Sequence, residues 1–256
     1  MRLMPVLPHA EPFHHEGGAT GVLFCHGFTG TTASLRPWAE QMAAAGHTVA
    51  LPRLPGHGTV WQELNVVRWQ DWYECVDAEY AGLAERCDRV FVAGLSMGGA
   101  LALRLAQHHT DVAGVVLVNP ALGAVDPKAR LADALRHLVP AVPSIGNDIL
   151  LEDVDEGAYD MTPVAGVAQL WKLWSEVKSL LDLVTCPLLV YRSRIDHVVP
   201  ASSVDTIRRL VSSMDYTEVT LHDSYHVATI DNDAPRIVAG SLEFVERVTA
   251  GQPADV

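Results

Sequence analysis

Six short runs rich in Val and Leu, at residues 21–25, 48–51, 89–93, 114–118, 187–191 and 217–221, show little polar alternation. Strands covered on both faces carry this pattern, whereas strands with one wet face alternate. Between the runs lie longer stretches with apolar residues at helical spacing, at 34–45, 69–86, 97–109, 201–213 and 235–248. Repeated β–α alternation predicts an α/β protein: a mostly parallel sheet, right-handed crossovers, and helices on both faces. Turns at the carboxyl ends of such strands are where ligands bind.

One interval breaks the alternation. Residues 125–179 offer no convincing strand, contain Pro127, Pro140, Pro143 and Pro163, and carry an acidic cluster at Asp148, Glu152, Asp153, Asp155, Glu156 and Asp160. Helical patterns at 129–138 and 166–181 lie inside it. The interval is too long for an ordinary loop. It reads as a short helical cap inserted between two parts of one core, 1–124 and 180–256. A longer crossover without function is the alternative.

Composition narrows the class. The chain has 256 residues, 49% of them hydrophobic and 19% charged, enough apolar surface for a packed core. The net charge of −13 disfavours nucleic acid and anionic membranes, whose binding relies on Lys and Arg. Cys25, Cys75, Cys87 and Cys186 lack CxxC spacing and read as reduced thiols, which suits a cytoplasmic protein. Met1 to Pro5 lead into prolines and His9 rather than an apolar signal segment, and no run is long enough to span a membrane.

The strongest chemical signal is Gly94-Leu95-Ser96-Met97-Gly98, extended by Gly99. It follows a predicted strand and opens a predicted helix, the context a G-x-S-x-G nucleophile elbow requires. Glycines flanking Ser96 let neighbouring backbone approach, and the helix start aims N–H groups at an oxyanion. His26-Gly27-Phe28-Thr29-Gly30 follows the first strong strand. There the Phe28 N–H converges with the Met97 N–H, and losing one such donor costs roughly 10²–10³ in turnover. His26 reads as a brace for this loop, and the Phe28 side chain as a pocket wall.

A serine at neutral pH needs a base, and this elbow is followed in chain order by an acid and then a histidine. Asp196 lies past the strand at 187–191, and His226 past the strand at 217–221. His222, at the strand end, competes with His226 but is expected to point off the sheet. His197 would have to fold back on its neighbour Asp196, and Asp223 stands too close in sequence to the base. In this reading Ser96 attacks, His226 moves the proton and Asp196 orients it. No metal constellation or phosphate loop competes, and no cofactor is expected.

Four motifs in order carry a family resemblance. They are His26-Gly27-Phe28-Thr29-Gly30-Thr31, Leu51-Pro52-Arg53-Leu54-Pro55-Gly56-His57-Gly58, Gly94-Leu95-Ser96-Met97-Gly98-Gly99 and Ser224-Tyr225-His226-Val227-Ala228-Thr229. Together the chain resembles the bacterial monoacylglycerol lipases, α/β-hydrolases close to the small carboxylesterases. The resemblance supports Ser96, Asp196 and His226 as triad, with Phe28 and Met97 at the oxyanion hole. It implies a cap over an acyl tunnel, with Ile145 as substrate gate and Glu156 contacting glycerol hydroxyls. Plain packing for Ile145 and a solvated acid for Glu156 are the alternatives. Departures from the family pattern are Arg192 and Arg194 before Asp196, and Asn119-Pro120 after the central strand.

The implied reaction is hydrolysis of a monoacylglycerol to glycerol and fatty acid. A broad carboxylesterase is the second reading, and a lysophospholipase fits the acidic cap less well. The implied partner is a small lipid ester, with transient contact between cap and lipid aggregates. A silent binding protein would have lost a triad member, and a dehalogenase would need Asp where Ser96 stands.

Overall fold

Seven strands form one sheet in the computed structural model, which describes residues 4–251. In chain order they are β1 (Phe13–His15), β2 (Thr20–Cys25), β3 (Thr48–Leu51), β4 (Arg89–Leu95) and β5 (Gly114–Val118), and later β8 (Leu188–Ser193) and β9 (Tyr216–Leu221). Their order across the sheet is β1-β3-β2-β4-β5-β8-β9. All neighbours are parallel except β1, which runs antiparallel to β3 at one edge. The six expected strands are present; β1 is additional and too short to show a period.

Successive side chains on a strand face opposite ways, so each strand feeds two cores. Leu23, Val92, Leu117 and Val190 point to one face, against Trp72, Val76 and Tyr80 of α2 (Trp69–Ala84) and Leu101 and Leu105 of α3 (Met97–His108). Val22, Phe24, Phe91, Val116 and Tyr191 point to the other. There they meet Trp38 and Met42 of α1 (Arg36–Ala44) and Ile237 and Phe244 of α7 (Ala234–Thr249). α6 (Ser202–Leu210) completes the first layer with Val204 and Ile207. The register aligns Cys25 with Gly94, Leu95 with Val118 and Ser193 with Leu221, so the loops after these strands emerge together.

Between β5 and β8 the chain forms α4 (Ala132–Leu135), β6 (Ala141–Pro143), β7 (Met161–Pro163) and α5 (Val164–Ser179). β6 and β7 pair as a small antiparallel ribbon, where the sequence pattern offered no strand. Three residues are too few for alternation to register, and both strands end in proline. α5 sends Leu173, Trp174 and Val177 into the main core, so it also serves as the crossover to β8. A separate small cluster of Ala132, Val164 and Ala168 holds α4 against α5.

Candidate active site

Ser96 sits where β4 turns into α3, at φ 56° and ψ −117°. A non-glycine residue at positive φ costs on the order of 1–3 kcal/mol and persists only where its surroundings enforce it. Here the Ser96 N–H donates to Val118 O at 3.1 Å, and its carbonyl accepts Ala121 N–H at 3.0 Å. Gly94 and Gly98 permit the turn by close approach: a Cβ on Gly94 would collide with the Gly98 carbonyl, and one on Gly98 with that of Cys25. Met97 N–H begins α3, at the positive end of the helix dipole.

The loop after β2 lies against this turn. A Cβ on Gly27 would stand 3.6 Å from Ser96 Cβ. His26 is fully buried; its Nδ1–H donates to Gly27 O at 2.9 Å, and its Nε2 accepts Leu54 N–H at 3.1 Å. Burial pushes its pKa down to about 4, so it stays neutral. Both ring nitrogens are spent on bracing, which ties the first motif to the second. The Phe28 ring packs edge-on against Trp72 at 5.8 Å and His57 at 6.1 Å.

Asp196 and His226 meet from the ends of β8 and β9. His226 Nδ1 is 2.8 Å from Asp196 Oδ2, and Asp196 Oδ1 accepts Val198 N–H at 2.9 Å and Val199 N–H at 2.7 Å. Burial alone would raise the Asp196 carboxyl, but the His226 charge and hydrogen bond, with the two amides, hold it below its ordinary value. Burial alone would lower His226, but Asp196, then Glu156 and Asp148, raise it above 6.5. Each partner thus favours the charged form of the other. The Ser96 hydroxyl is not hydrogen-bonded to His226; such contacts commonly tighten only with substrate bound.

The competitors stand elsewhere. His222 and Asp223 are exposed, and the His197 ring is 2.7 Å from Asp148 rather than turned to Asp196. Arg192 points to Glu218 and Asp205, at 3.4 and 3.5 Å, and Arg194 is exposed, so neither contacts the Asp196 carboxylate. Asn119 explains its departure from pattern. Its Oδ1 accepts Ser193 N–H at 2.7 Å, and its Nδ2 donates to Ser193 Oγ and to His226 O at 2.9 and 2.8 Å. It couples the end of β5 to the loops that carry Asp196 and His226.

The insertion closes over these loops. Tyr159 N–H donates to Thr29 O at 3.0 Å, and Tyr159 OH donates to Gly56 O at 3.0 Å. Glu156 is half-buried; Asn147 N–H donates to its Oε1 and Asn147 Oδ1 accepts its N–H, both at 3.0 Å. A Cβ on Gly30 would stand 3.1 Å from Glu156 Oε2, which places the carboxylate against the loop after β2. Burial pushes the Glu156 carboxyl up. Asp231, 3% exposed, accepts N–H groups from Leu150, Leu151 and Tyr225 at 2.7–3.0 Å, joining the insertion to the loop that carries His226. Ile145 is 62% exposed on the outer part of the insertion. Sequence reasoning missed the roles of Asn119, Asp148 and Asp231; Asn119 stood out only as an unusual Asn119-Pro120 step and Asp148 only as one of six acids in the cap.

Among the described residues, no three His, Cys, Asp or Glu side chains converge as metal ligands, and no helix is long and apolar enough to cross a membrane.

The arrangement supplies a strained serine, a helix start, and a buried imidazole–carboxylate pair at the same edge of the sheet. Comparison with known proteins agrees with it. Residues 19–233 match the family model described as serine aminopeptidase, S33. A thermostable monoacylglycerol lipase of Bacillus sp. (strain H-257) is 47% identical over 94% of this chain and 96% of its own. A carboxylesterase of Bacillus subtilis (strain 168) is 26% identical over 93% and 97%. A solved chain described under LipS and LipT, two metagenome-derived lipolytic enzymes, is 41% identical with a TM-score of 0.92, covering 95% of this chain and all of that one. The chain therefore belongs to the α/β-hydrolase family that holds the bacterial monoacylglycerol lipases and small carboxylesterases.

Proposed function

We propose that the protein hydrolyses monoacylglycerols to glycerol and free fatty acid. The observation that carries this reading is the Glu156 carboxylate, held by Asn147 in the roof and set against Gly30 in the loop after β2. A carboxylate there accepts hydrogen bonds from the free hydroxyls of a glyceryl ester, which a simple ester lacks. The 47% identical relative supports the same substrate.

In the proposed cycle, Ser96 Oγ attacks the ester carbonyl as His226 Nε2 takes its proton. Phe28 and Met97 N–H groups bear the oxyanion. The C–O bond to glycerol breaks as the imidazolium returns the proton to the leaving oxygen. Water, deprotonated by the same nitrogen, then opens the acyl-enzyme and releases the fatty acid. Asp196 keeps Nδ1 protonated throughout and stabilises the imidazolium. Ile145 gates the acyl path, and Leu131, Leu138 and Ile145, at 55%, 80% and 62% exposure, touch lipid aggregates transiently. We read residues 125–179 as the cap that carries these features. We also read the protein as cytoplasmic: its four cysteines are unpaired, and burial pushes the Cys75 and Cys186 thiols up to about 11 and about 12.

A panel of mono-, di- and triacylglycerols, p-nitrophenyl esters and lysophospholipid tests the substrate. Monoacylglycerol is expected to give the highest kcat/KM. Equal rates on simple esters would favour the second reading, a broad carboxylesterase, which the 26% identical relative supports.

Two further outcomes follow from the electrostatics. The base must be neutral to act, so the acid limb of kcat/KM is expected above 6.5, because its neighbours raise the His226 pKa. Glu156→Gln removes one of those anions and is expected to shift the limb to lower pH. The same change should slow monoacylglycerol cleavage more than p-nitrophenyl ester cleavage. An unmoved limb with equal slowing of both substrates would sink the assignment of Glu156.

A further inference from the structure

One carboxylate of the insertion touches both loops that carry the acid–base pair. Asp148 Oδ2 accepts the N–H of His226 and the N–H of His197, each at 3.2 Å. Its Oδ1 is 2.7 Å from His197 Nδ1, and its carbonyl accepts Val227 N–H at 3.1 Å. The side chain is 9% exposed. His197 directly follows Asp196, so a single oxygen bridges the acid loop and the base loop.

We propose that Asp148 is a positioning residue for the base. The inference rests on His226 being that base. The His226 ring is anchored at Nδ1 by Asp196, which leaves the imidazole free to swing about that contact unless its main chain is also fixed. Asn119 holds the His226 carbonyl from the sheet side, and Asp148 holds the amide from the roof side. With both in place, Nε2 has one direction in which to point. Asn147, the preceding residue, holds Glu156, so the same loop segment that fixes the glyceryl-binding carboxylate also sets the base. His197 contributes by pinning Oδ1, and its ring packs edge-on against Tyr225 at 4.9 Å.

Two substitutions separate position from charge. The charged groups facing His226 are Asp196, Glu156 and Asp148, and those facing Asp148 are His197, His226 and Glu156. Asp148→Ala strips both amides of their acceptor. Misplacing a catalytic group by about 1 Å costs on the order of 10²-fold, and a fall in kcat of that order with little change in KM is expected. Asp148→Asn can still accept both amides through its carbonyl while its NH₂ faces a neutral His197 Nδ1. It is expected to restore most of kcat and, lacking the anion, to move the acid limb of kcat/KM to lower pH.

Parental kcat in Asp148→Ala, or equal loss of kcat in both variants, would overturn the proposal. Should Asp148→Ala fail to fold, Asp148→Asn decides: parental kcat supports the amide-acceptor role, and a fall of about 10²-fold in that variant overturns it. His226→Ala keeps the two readings apart. If that variant retains turnover, the base assignment fails. If it loses turnover while Asp148→Ala does not, only the positioning role fails.

Discussion

Replacing Ser96 with alanine is expected to cut turnover of every ester substrate by roughly 10⁴-fold or more, with no loss of thermal stability. Every covalent step of the proposed cycle runs through its Oγ. What survives in such a variant is the modest acceleration that oxyanion donors give to attack by water. The fold should not register the change. Alanine meets the same positive-φ strain as serine, and the amide and carbonyl of residue 96 make the bonds to Val118 and Ala121, not the hydroxyl. Steady-state assay, labelling by a fluorophosphonate and a thermal melt check the three parts. Retained turnover in a folded Ser96→Ala protein would refute the assignment of the elbow.

His226→Ala is expected to be nearly as damaging, and His222→Ala nearly silent. Nucleophile and base act as a unit, so removing either one costs about as much as removing both. The double variant Ser96→Ala/His226→Ala should therefore be little slower than either single one. His226 is 6% exposed and bonded to Asp196 at 2.8 Å, whereas His222 is exposed beyond the end of β9. Surface substitutions of that kind usually stay within about 0.5 kcal/mol of the parent in stability. A large rate loss in His222→Ala with a small one in His226→Ala would exchange their roles.

Much of this molecule can be read from its residues because the signals are local. Apolar runs mark strands buried on both faces, and five of the six runs, now β2, β3, β4, β5 and β8, are so buried; the sixth, β9, carries Thr217, Glu218 and Thr220 and is a half-buried edge strand. The elbow is five consecutive residues between a strand and a helix, so its geometry follows from neighbours in the chain. β1, β6 and β7 have three residues each, too few to carry a period. The acidic stretch from 148 to 160 shows the other boundary. By composition its members are alike, yet Glu152, Asp153, Asp155 and Asp160 are exposed while Asp148 and Glu156 face other elements. Which acid turns inward depends on partners far away in the chain, His197 and His226 for one and the Gly30 loop for the other. Asn119 follows the same rule, since its partners are Ser193 and His226.

The fastening of the insertion has a consequence for building hybrids of this enzyme. A graft that exchanged residues 125–179 as a unit would sever the Leu150 and Leu151 bonds to Asp231, the Asp148 bonds to His226 and His197, and the Tyr159 bonds to Thr29 and Gly56. Asp231 would be left as a buried carboxylate short of two donors, and such groups are costly to leave unsatisfied. Residues 125–146 carry the exposed Leu131, Leu138 and Ile145 and stand outside these bonds; their own ties include the β6 pairing with β7, Val125 N–H to Val198 O and Asn65 Nδ2 to Pro140 O. A seam that spares the bonds to the Asp196 and His226 loops therefore runs before Asn147, with the exchanged segment keeping a strand that pairs with β7.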